Sequence, residues 1–559
     1  MKKCKSLISI LLVNMYLFCN INFAVAGDLI IQNTTLSPQI VLNLADIQNL
    51  FSGLNPDSKV TLVTAATDAE IPENYKQEIG QQFFVDAVDE LLSSRKALDA
   101  IGPAFFIYGS ARFNPGHKWY EQAKRFGRMV AEYFISLITG GGPGTMLGAN
   151  EGAYGINGVD SIGLCMLLPH EKNNDHKLFK NVVIIFNYFF IRKIMFIQKT
   201  SGGMSLPGGL GTLDEIFEIF AFNKRFPEKA RYNVLVDQAF YSGLLKFLDK
   251  IHQSGLMPYH EELSLTIKDS VEEAFDYLIS KTGGLKSQEL DIDAKVFRQE
   301  LFRASRLLNR VGPSVGIIGG AQMPEDSVYW PMARRLAGSL GSLNINILRR
   351  GNRGIAAAVG QAYDDFHKTH PIEKGMYIAL HEDGKQIGDN STDLSLNFEN
   401  YFSLKIALIE YSKLGLVVFP GGIDVLDVIF NTLCLIKTKK IAPMPIILVG
   451  RDIWEPLIEW MKAEMVSAGT INTDYLDLIQ IVDNEIEAQR IIQDNLALIK
   501  KNTETDPGQI KKRERLAHLL LKQKNTKAAF KRIFTEELTP ISLARKNDQF
   551  NFALIAQAI

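Results

Sequence analysis

The stretch SLPGGLGTLDEIFEIF, Ser205–Phe220, joins a strand-like apolar segment to a helix-like one through three glycines and a proline. Glycine permits positive φ and lets a ligand approach the backbone closely. A helix N-terminus adds free N–H groups and the positive end of its dipole. The stretch therefore predicts an anion site, best suited to phosphate, at Gly208, Gly209, Gly211 and Thr212. It fits neither the nucleoside triphosphate P-loop pattern nor a proper G-x-G-x-x-G dinucleotide pattern.

A second glycine cluster, Gly140–Thr145 (GGGPGT), follows another strand-like segment, ISLIT. Ligands of parallel α/β folds bind beyond the carboxyl ends of the strands. Gly141 and Gly142 are therefore candidates for the same phosphate site.

Thr212 and Glu215 admit two interpretations. T-x-x-E at a helix start is a capping box, in which the glutamate bonds back to the first residue. Alternatively, a carboxylate beside an anion site serves chemistry, and a nearby cation compensates its charge. Arg192 and Lys193 could supply that cation, because they interrupt the strongly apolar run FFIRKIMFI. The local pattern leaves both interpretations open.

The chain contains this pattern twice. FPGGIDVLDVIF, from Phe419, matches LPGGLGTLDEIF, from Leu206, at an offset of 213. Three further pairs of segments match in the same order at offsets of 209 to 213. A period this long indicates two homologous domains rather than a solenoid.

Strand-like and helix-like segments alternate within each copy, which predicts a parallel sheet with helices on both faces. The expected fold is α/β, with two tandem Rossmann-like domains whose parallel sheets are flanked by helices, plus a helical C-terminal tail. The expected divisions are a signal peptide at 1–26, an N-terminal extension at 27–95, a first domain at 96–285, a degenerate second domain at 286–500 and a basic helical tail at 501–559.

Residues 1–26 have the layout of a secretory signal peptide, with a basic start, an apolar segment and a small-x-small site at Ala24-Val25-Ala26. We expect cleavage after about Ala26 and export to the periplasm or the medium. An uncleaved anchor is the alternative. No other stretch reaches the length of a membrane span, so none is expected in the mature chain.

The amino-acid composition limits the kinds of partner and cofactor that are expected for the chain. Its 559 residues are 46% hydrophobic and 22% charged, a normal globular mix. The net charge of −1 creates no field that would favour nucleic acid, and no nucleic-acid partner is expected. Beyond the signal, only Cys165 and Cys434 remain, which form neither a disulfide framework nor a metal cluster. We expect no metal and no cofactor.

Five motifs, taken in order, resemble the LOG (Lonely Guy) family of phosphoribohydrolases, formerly called "lysine decarboxylase-like". They are GSAR, ITGGGPGTMLGANEGAY, LLPHE, YFFIRK and LPGGLGTLDE, within about residues 100 to 280. The resemblance implies hydrolysis of the N-glycosidic bond of nucleoside 5′-monophosphates to free base and ribose 5-phosphate, with cytokinin riboside monophosphates as candidate substrates. Nothing in the sequence suggests the pyridoxal site of a decarboxylase.

The resemblance assigns roles to individual residues. It implies Arg192 and Glu215 as the catalytic pair, with Arg192 holding the phosphate or ribose and keeping Glu215 ionised. Glycoside departure builds positive charge on the sugar, which a fixed carboxylate stabilises while it activates water. The expected substrate-binding residues are Gly208, Gly209, Gly211, Thr212, Lys193, Gly141, Gly142, Ser110 and Glu171.

The second copy departs from the family pattern where the chemistry lies. Its aligned residues are Lys405 for Arg192, Ile406 for Lys193, Val428 for Glu215, Asp424-Val425 for Gly211-Thr212 and Arg353 for Gly144. We expect this domain to be inactive. Because family members are dimers, it would replace one subunit in an intrachain pseudo-dimer, with further homo-oligomers possible. The competing hypothesis is a non-catalytic protein of the same fold that binds a nucleotide or the molybdenum cofactor.

Overall fold

The computed structural model of the chain describes two α/β halves. It covers residues 59–62, 81–99, 101–166, 179–257, 265–282, 292–369, 375–382 and 391–505. The expected signal peptide, the tail beyond residue 505 and Glu171 lie outside the described residues, so these expectations stay predictions. None of the helices within the described residues is both long and apolar enough to cross a membrane.

The first half forms one eight-stranded parallel sheet. Its strand order is β1-β5-β4-β3-β2-β6-β7-β8. The strands are β1 Lys59–Leu62, β2 Ala104–Tyr108, β3 Ser136–Thr139, β4 Ser161–Met166, β5 Val182–Phe186, β6 Gly202–Ser205, β7 Tyr232–Val236 and β8 Leu265–Lys268.

The second half repeats this sheet without the edge strand β1. Its strand order is β12-β11-β10-β9-β13-β14-β15, again parallel throughout. The strands are β9 Ser314–Ile318, β10 Asn346–Arg350, β11 Tyr377–Glu382, β12 Leu394–Phe398, β13 Gly415–Val418, β14 Ile446–Val449 and β15 Ile479–Val482. The expected fold of two tandem parallel α/β domains is confirmed.

Each half has seven α-helices among its described residues. Those of the first half are α1 Gln81–Leu98, α2 Lys118–Glu132, α3 Thr145–Ala153, α4 Phe189–Lys199, α5 Leu210–Arg225, α6 Gln238–Gln253 and α7 Val271–Thr282. Those of the second are α8 Ala294–Val311, α9 Tyr329–Ser342, α10 Ile355–Thr369, α11 Tyr401–Tyr411, α12 Ile423–Lys437, α13 Arg451–Trp460 and α14 Glu485–Thr505.

Helix α1 is the counterpart of α8 at the repeat offset of 213, and the two helices pack together. The expected boundary between residues 95 and 96 falls inside α1. We therefore place the start of the first repeat at this helix, upstream of that boundary.

The central strands are buried on both faces, as their apolar sequences require. All five residues of β2 (AFFIY) and of β9 (SVGII) are buried. Strands covered by helices on both sides read as continuous apolar runs because neither face meets water.

The two halves pack through equivalent helices. Phe217 of α5 stacks on its own repeat counterpart, Phe430 of α12, with ring centroids 4.9 Å apart and planes 5° from parallel. Helix α6 likewise packs on its repeat counterpart α13, where Phe247 lies 6.0 Å from Trp454. A residue that contacts its own counterpart lies near a pseudo-two-fold axis, so the halves are related as two subunits of a symmetric dimer would be. One continuous hydrophobic core includes residues of both halves.

The glycine loops show which residues of the two copies correspond to each other. Gly141 and Gly144 have φ of 70° and 69°, and Gly351 and Gly354 have φ of 74° and 56°. The offset at this loop is therefore 210, and the expected replacement of Gly144 by Arg353 is wrong. Gly354 is retained because a Cβ there would overlap a backbone carbonyl, as it would at Gly144.

Candidate functional site

The two glycine clusters lie side by side at the carboxyl ends of β2, β3 and β6. Ser110 joins them, since its N–H donates to the Pro207 carbonyl (3.2 Å) and its carbonyl accepts from the Thr145 N–H (3.0 Å). A Cβ built on Gly140 would lie 3.3 Å from Arg192 Nη1, so the arginine faces the same loop. The fold thus brings together residues 110, 140–145, 192 and 207–212, as the strand order of a parallel sheet requires.

Arg192 and Glu215 form an ion pair at this edge. Arg192 is on α4 and Glu215 on α5, and Nη2 lies 3.3 Å from Oε1. The two side chains are only 10% and 12% exposed. The guanidinium also lies over the ring of Phe189, 4.5 Å from its centroid. The pair therefore lies in a site with little water, where its charges act strongly.

The capping-box alternative is wrong. Helix α5 begins at Leu210, its N-cap is Gly209, and no side-chain cap bond is present there. Thr212 is therefore the third residue of the helix and not its cap. Glu215 turns away from the helix start and pairs with Arg192. Because Gly209 offers no side chain, the first N–H groups of the helix remain available to an anion.

Burial sets the protonation of Glu215. Loss of water raises the pKa of Glu215 from 4.5 to about 7, although the charge of Arg192 lowers it. The expectation that Arg192 keeps this carboxyl fully ionised is therefore only partly correct, because desolvation outweighs the ion pair. A pKa near neutrality is typical of a group that exchanges protons during a reaction.

Close packing requires two of the glycines of the turn, Gly208 and Gly209. A Cβ on Gly208 would overlap the side chain of Thr212, and one on Gly209 would lie 2.7 Å from the Thr470 carbonyl oxygen of the second half. In the other cluster, a Cβ on Gly141 would overlap Cys165 Sγ. These backbones are close to their neighbours in a way that only glycine allows.

Two buried polar atoms at this edge lack a hydrogen-bond partner within the described part of the chain. Thr145 Oγ1 lies at the start of α3 in a residue with no exposure, and Arg192 Nε lies in a residue that is 8% exposed. Buried polar groups are nearly always paired, so each of these marks a place where a ligand or water completes the site. A cavity of about 10 Å³, lined by Tyr108, Glu215 and Phe196 among others, has room for about one water.

Lys193 does not face the glycine turn. Its ammonium lies 2.6 Å from Asp214 Oδ1 and 2.5 Å from Glu218 Oε2, and the residue is 3% exposed. These two carboxylates raise the pKa of Lys193 despite its burial. Lys193 was expected to bind phosphate, but its charge is already compensated by these two carboxylates.

Lys193 belongs to a buried ionic network that crosses between the halves. Lys405, the counterpart of Arg192, lies 2.8 Å from Glu218 and 3.0 Å from Asp427. The Tyr401 hydroxyl donates to Asp427, and the Asn431 amide donates to Asp214 at 3.1 Å. Asp214, Glu218 and Asp427 bring carboxylate oxygens within 4.8 Å of one another, and the two lysines partly neutralise them.

Sequence reasoning missed the carboxylates of this network. One signal was present: the aspartate of LDE in the first copy, Asp214, is kept as Asp427 in LDV of the second, although the neighbouring Glu215 becomes Val428. A polar residue kept on an otherwise apolar helix face indicates a buried partner.

The corresponding site of the second half is filled by charged side chains from both halves. Asp424, at the position of Gly211, lies 2.5 Å from Lys224 Nζ and 2.7 Å from Arg225 Nη1 of the first half. Arg350, at the position of Gly140, pairs with Glu382 at 2.6 Å. These cations hold the pKa of Asp424 far below its usual range.

Two stretches of the chain, residues 146–278 and 360–492, match a protein family model described as "Possible lysine decarboxylase". The matches fall in the two halves, and the first contains Arg192 and Glu215. The expected identification of the family and of its tandem arrangement is confirmed.

Curated relatives of the chain carry names from cytokinin metabolism. The chain is 27% identical over 204 residues to the bifunctional cytokinin biosynthesis protein of Fusarium pseudograminearum, covering 33% of this chain and 42% of that protein. It is 24% identical over 155 residues to the cytokinin riboside 5′-monophosphate phosphoribohydrolase of Mycobacterium marinum, covering 28% of this chain and 82% of that protein. The chain thus spans less than half of the Fusarium relative.

Solved structures similar to the chain include molybdenum cofactor proteins. The molybdenum cofactor binding protein of Rippkaea orientalis has 18% identity and a TM-score of 0.24, covering 32% of this chain and 97% of that one. The molybdenum cofactor carrier protein of Chlamydomonas reinhardtii has 17% identity and a TM-score of 0.24, covering 33% and 99%.

Proposed function

The chain carries two tandem domains of the LOG family, and from this premise we propose that the first domain hydrolyses a nucleoside 5′-monophosphate to free base and ribose 5-phosphate. The observation that carries the proposal is the buried Arg192–Glu215 pair, 3.3 Å apart, beside two glycine turns. Cytokinin riboside monophosphates are the substrates named for the Mycobacterium relative, and they are a candidate substrate here.

The proposed reaction assigns a role to each part of the site. The N–H groups of the first turn of α5, beyond Gly209, bind the 5′-phosphate. As the bond from the sugar to the base breaks, positive charge develops on the ribose and the Glu215 carboxylate stabilises it. Water attacks the anomeric carbon, Glu215 accepts its proton, and that proton finally neutralises the departing base. Arg192 orients the carboxylate and binds the phosphate or the ribose.

We propose that the second domain is catalytically inactive and has a structural role. Val428 replaces Glu215 and is 1% exposed, and Asp424 stands where a phosphate would bind. Its helices cover the first domain at the pseudo-two-fold axis. We infer that it takes the place of the second subunit in an intrachain pseudo-dimer.

The test is release of free base from AMP and from cytokinin riboside monophosphates by the purified full-length chain. Glu215→Gln and Arg192→Met should each lower kcat by at least about 100-fold, because they remove groups that act in the transition state. Glu459→Gln, at an exposed position, is the matched control and should keep full activity.

Failure to release base from any purine, pyrimidine or cytokinin monophosphate would contradict the hydrolase. The competing hypothesis, a non-catalytic binding protein, gives a different result. Calorimetry would then find tight binding of a nucleotide or of the molybdenum cofactor without turnover, and the Glu215→Gln substitution would leave that binding unchanged.

A further inference from the structure

The second half contains an internal anion at the place where the first half is proposed to bind phosphate. Asp424 is the repeat counterpart of Gly211, and its carboxylate lies at the start of α12. Cations from the other half bind it, with Lys224 at 2.5 Å and Arg225 at 2.7 Å. The second half thus shows how cations are arranged when an anion, here the Asp424 carboxylate, occupies the site.

The pseudo-two-fold axis relates each residue around Asp424 to a counterpart around the glycine turn of the first half. At the offset of 213, Lys224 corresponds to Lys437, whereas Arg225 corresponds to Thr438. Of the two residues of the other half that bind Asp424, only the lysine therefore has a basic counterpart at the first site.

The described contacts bring helix α12, which carries Lys437, next to the glycine turn of the first half. A Cβ on Gly211 would lie 4.0 Å from Cys434 Sγ, and Lys437 follows Cys434 by three residues on α12. Residues three apart on a helix lie on the same face, one turn further along. Arg112, of the first half, adds positive charge near Lys437 and bonds to Asn472 Oδ1 at 2.8 Å.

No carboxylate neutralises Lys437 within the described residues. Its ammonium lies 5.5 Å from the centroid of the Tyr475 ring. Burial lowers the pKa of this lysine, and the positive charge of Arg112 lowers it further. At the second site Lys224, the counterpart of Lys437, is neutralised by Asp424, so the first site has the cation and lacks the anion. Thr145 Oγ1 and Arg192 Nε, both buried without a partner at this edge, independently indicate a missing polar ligand.

We propose that Lys437, supplied by the second half, binds the phosphate of the substrate held by the glycine turn of the first half. This inference rests on the proposed function and adds a residue to its site. The active site is then shared between the halves, and the catalytically degenerate half is required for substrate binding. The phosphate occupies the place that Asp424 occupies at the second site.

The experiment compares three variants of the full-length chain. Lys437→Met removes the charge, Lys437→Arg keeps it, and Lys439→Met removes an exposed lysine two residues away as a matched control. Lys437→Met should raise KM for AMP by roughly 10- to 100-fold, the usual effect of losing a charge-assisted hydrogen bond, with kcat changed less than about threefold. Lys437→Arg should recover most of the loss.

Comparison with the product base, which carries no phosphate, distinguishes a specific loss of phosphate binding from a general disturbance of the site. Inhibition of the reaction by ribose 5-phosphate should weaken in parallel with KM in Lys437→Met, whereas inhibition by the product base should not change. An unchanged KM in Lys437→Met, or an equal loss for both inhibitors, would overturn the inference while leaving the hydrolase proposal intact.

The inference can also be judged if the hydrolase proposal fails. Calorimetry with ribose 5-phosphate then replaces kinetics as the readout. Binding to the wild-type chain that is lost in Lys437→Met and kept in Lys439→Met supports the shared phosphate site. Equal binding by all three chains, or no binding by the wild-type chain, overturns it.

Discussion

Replacing Glu215 by glutamine should stabilise the protein at pH 8 and much less at pH 5, while abolishing activity. Burial raises the pKa of Glu215 from 4.5 to about 7 in the folded state. The folded chain therefore holds the proton more tightly than the unfolded chain. Stability from this group is fully present below pH 4.5 and is lost as the pH rises through about 7.

The magnitude follows from the two pKa values. The difference between 4.5 and about 7 corresponds to about 3 kcal/mol once the carboxyl is ionised in both states, as at pH 8. At pH 5, where the folded carboxyl is still protonated, the same linkage leaves about 1 kcal/mol. Glutamine resembles the protonated form in shape and carries no charge. Glu215→Gln should therefore raise the free energy of unfolding by about 2 kcal/mol more at pH 8 than at pH 5.

Urea unfolding of the wild-type chain and the variant at both pH values measures this difference. Glu459→Gln, on the exposed face of α13, is the control and should show no such dependence on pH. A variant that is equally stabilised at both pH values, or destabilised at pH 8, would refute the argument that desolvation dominates at Glu215.

The same titration should appear in the kinetics of the wild-type enzyme. Only the ionised carboxylate stabilises the developing positive charge, so kcat/KM for AMP should fall about tenfold per pH unit below pH 7. A profile that stays flat down to pH 5 would contradict this assignment of Glu215.

Two further substitutions test the interface and the glycine loop. Lys405→Met should lower the free energy of unfolding by about 3–5 kcal/mol, because it leaves Asp427 buried beside one partner fewer. Exposed Lys413→Met is its control in the same urea titration. Gly144→Ala should destabilise by more than about 2 kcal/mol, since φ is 69° and a Cβ would overlap a backbone carbonyl. Gly338→Ala, in mid-helix with open space around it, should be neutral or stabilise by up to about 1 kcal/mol, and a loss equal to that of Gly144→Ala would contradict the reasoning.

The repeat and the parallel α/β architecture could be predicted from the sequence because their determinants are local. Apolar runs such as AFFIY of β2 specify buried strands wherever they fold. Glycine turns are equally local, since Gly144 and its counterpart Gly354 serve the backbone of their own loop. Comparison of the two copies also distinguished Glu215, which is valine in the second copy, from the apolar residues of the same helix, which are apolar in both copies.

The network of Lys193, Asp214, Glu218, Lys405 and Asp427 could not be predicted, because its partners come from both halves. Each charge, considered on its own helix, is an isolated ionisable group on an apolar face. The burial of such a group is favourable only when a counter-ion is close. Only the packing of α4 and α5 against α11 and α12 supplies those counter-ions.

The sequence by itself determined the two copies, their parallel sheets and the glycine turns, whereas the choice of Arg192 and Glu215 as a pair came from its resemblance to the LOG family. The tertiary structure alone decided that Glu215 is not a helix cap, that its pKa is about 7, and that Lys193 faces carboxylates. Backbone turns depend on neighbouring residues, which a sequence displays directly. Protonation and ion pairing depend on desolvation and on charges from distant segments, and these exist only once the two halves have packed together.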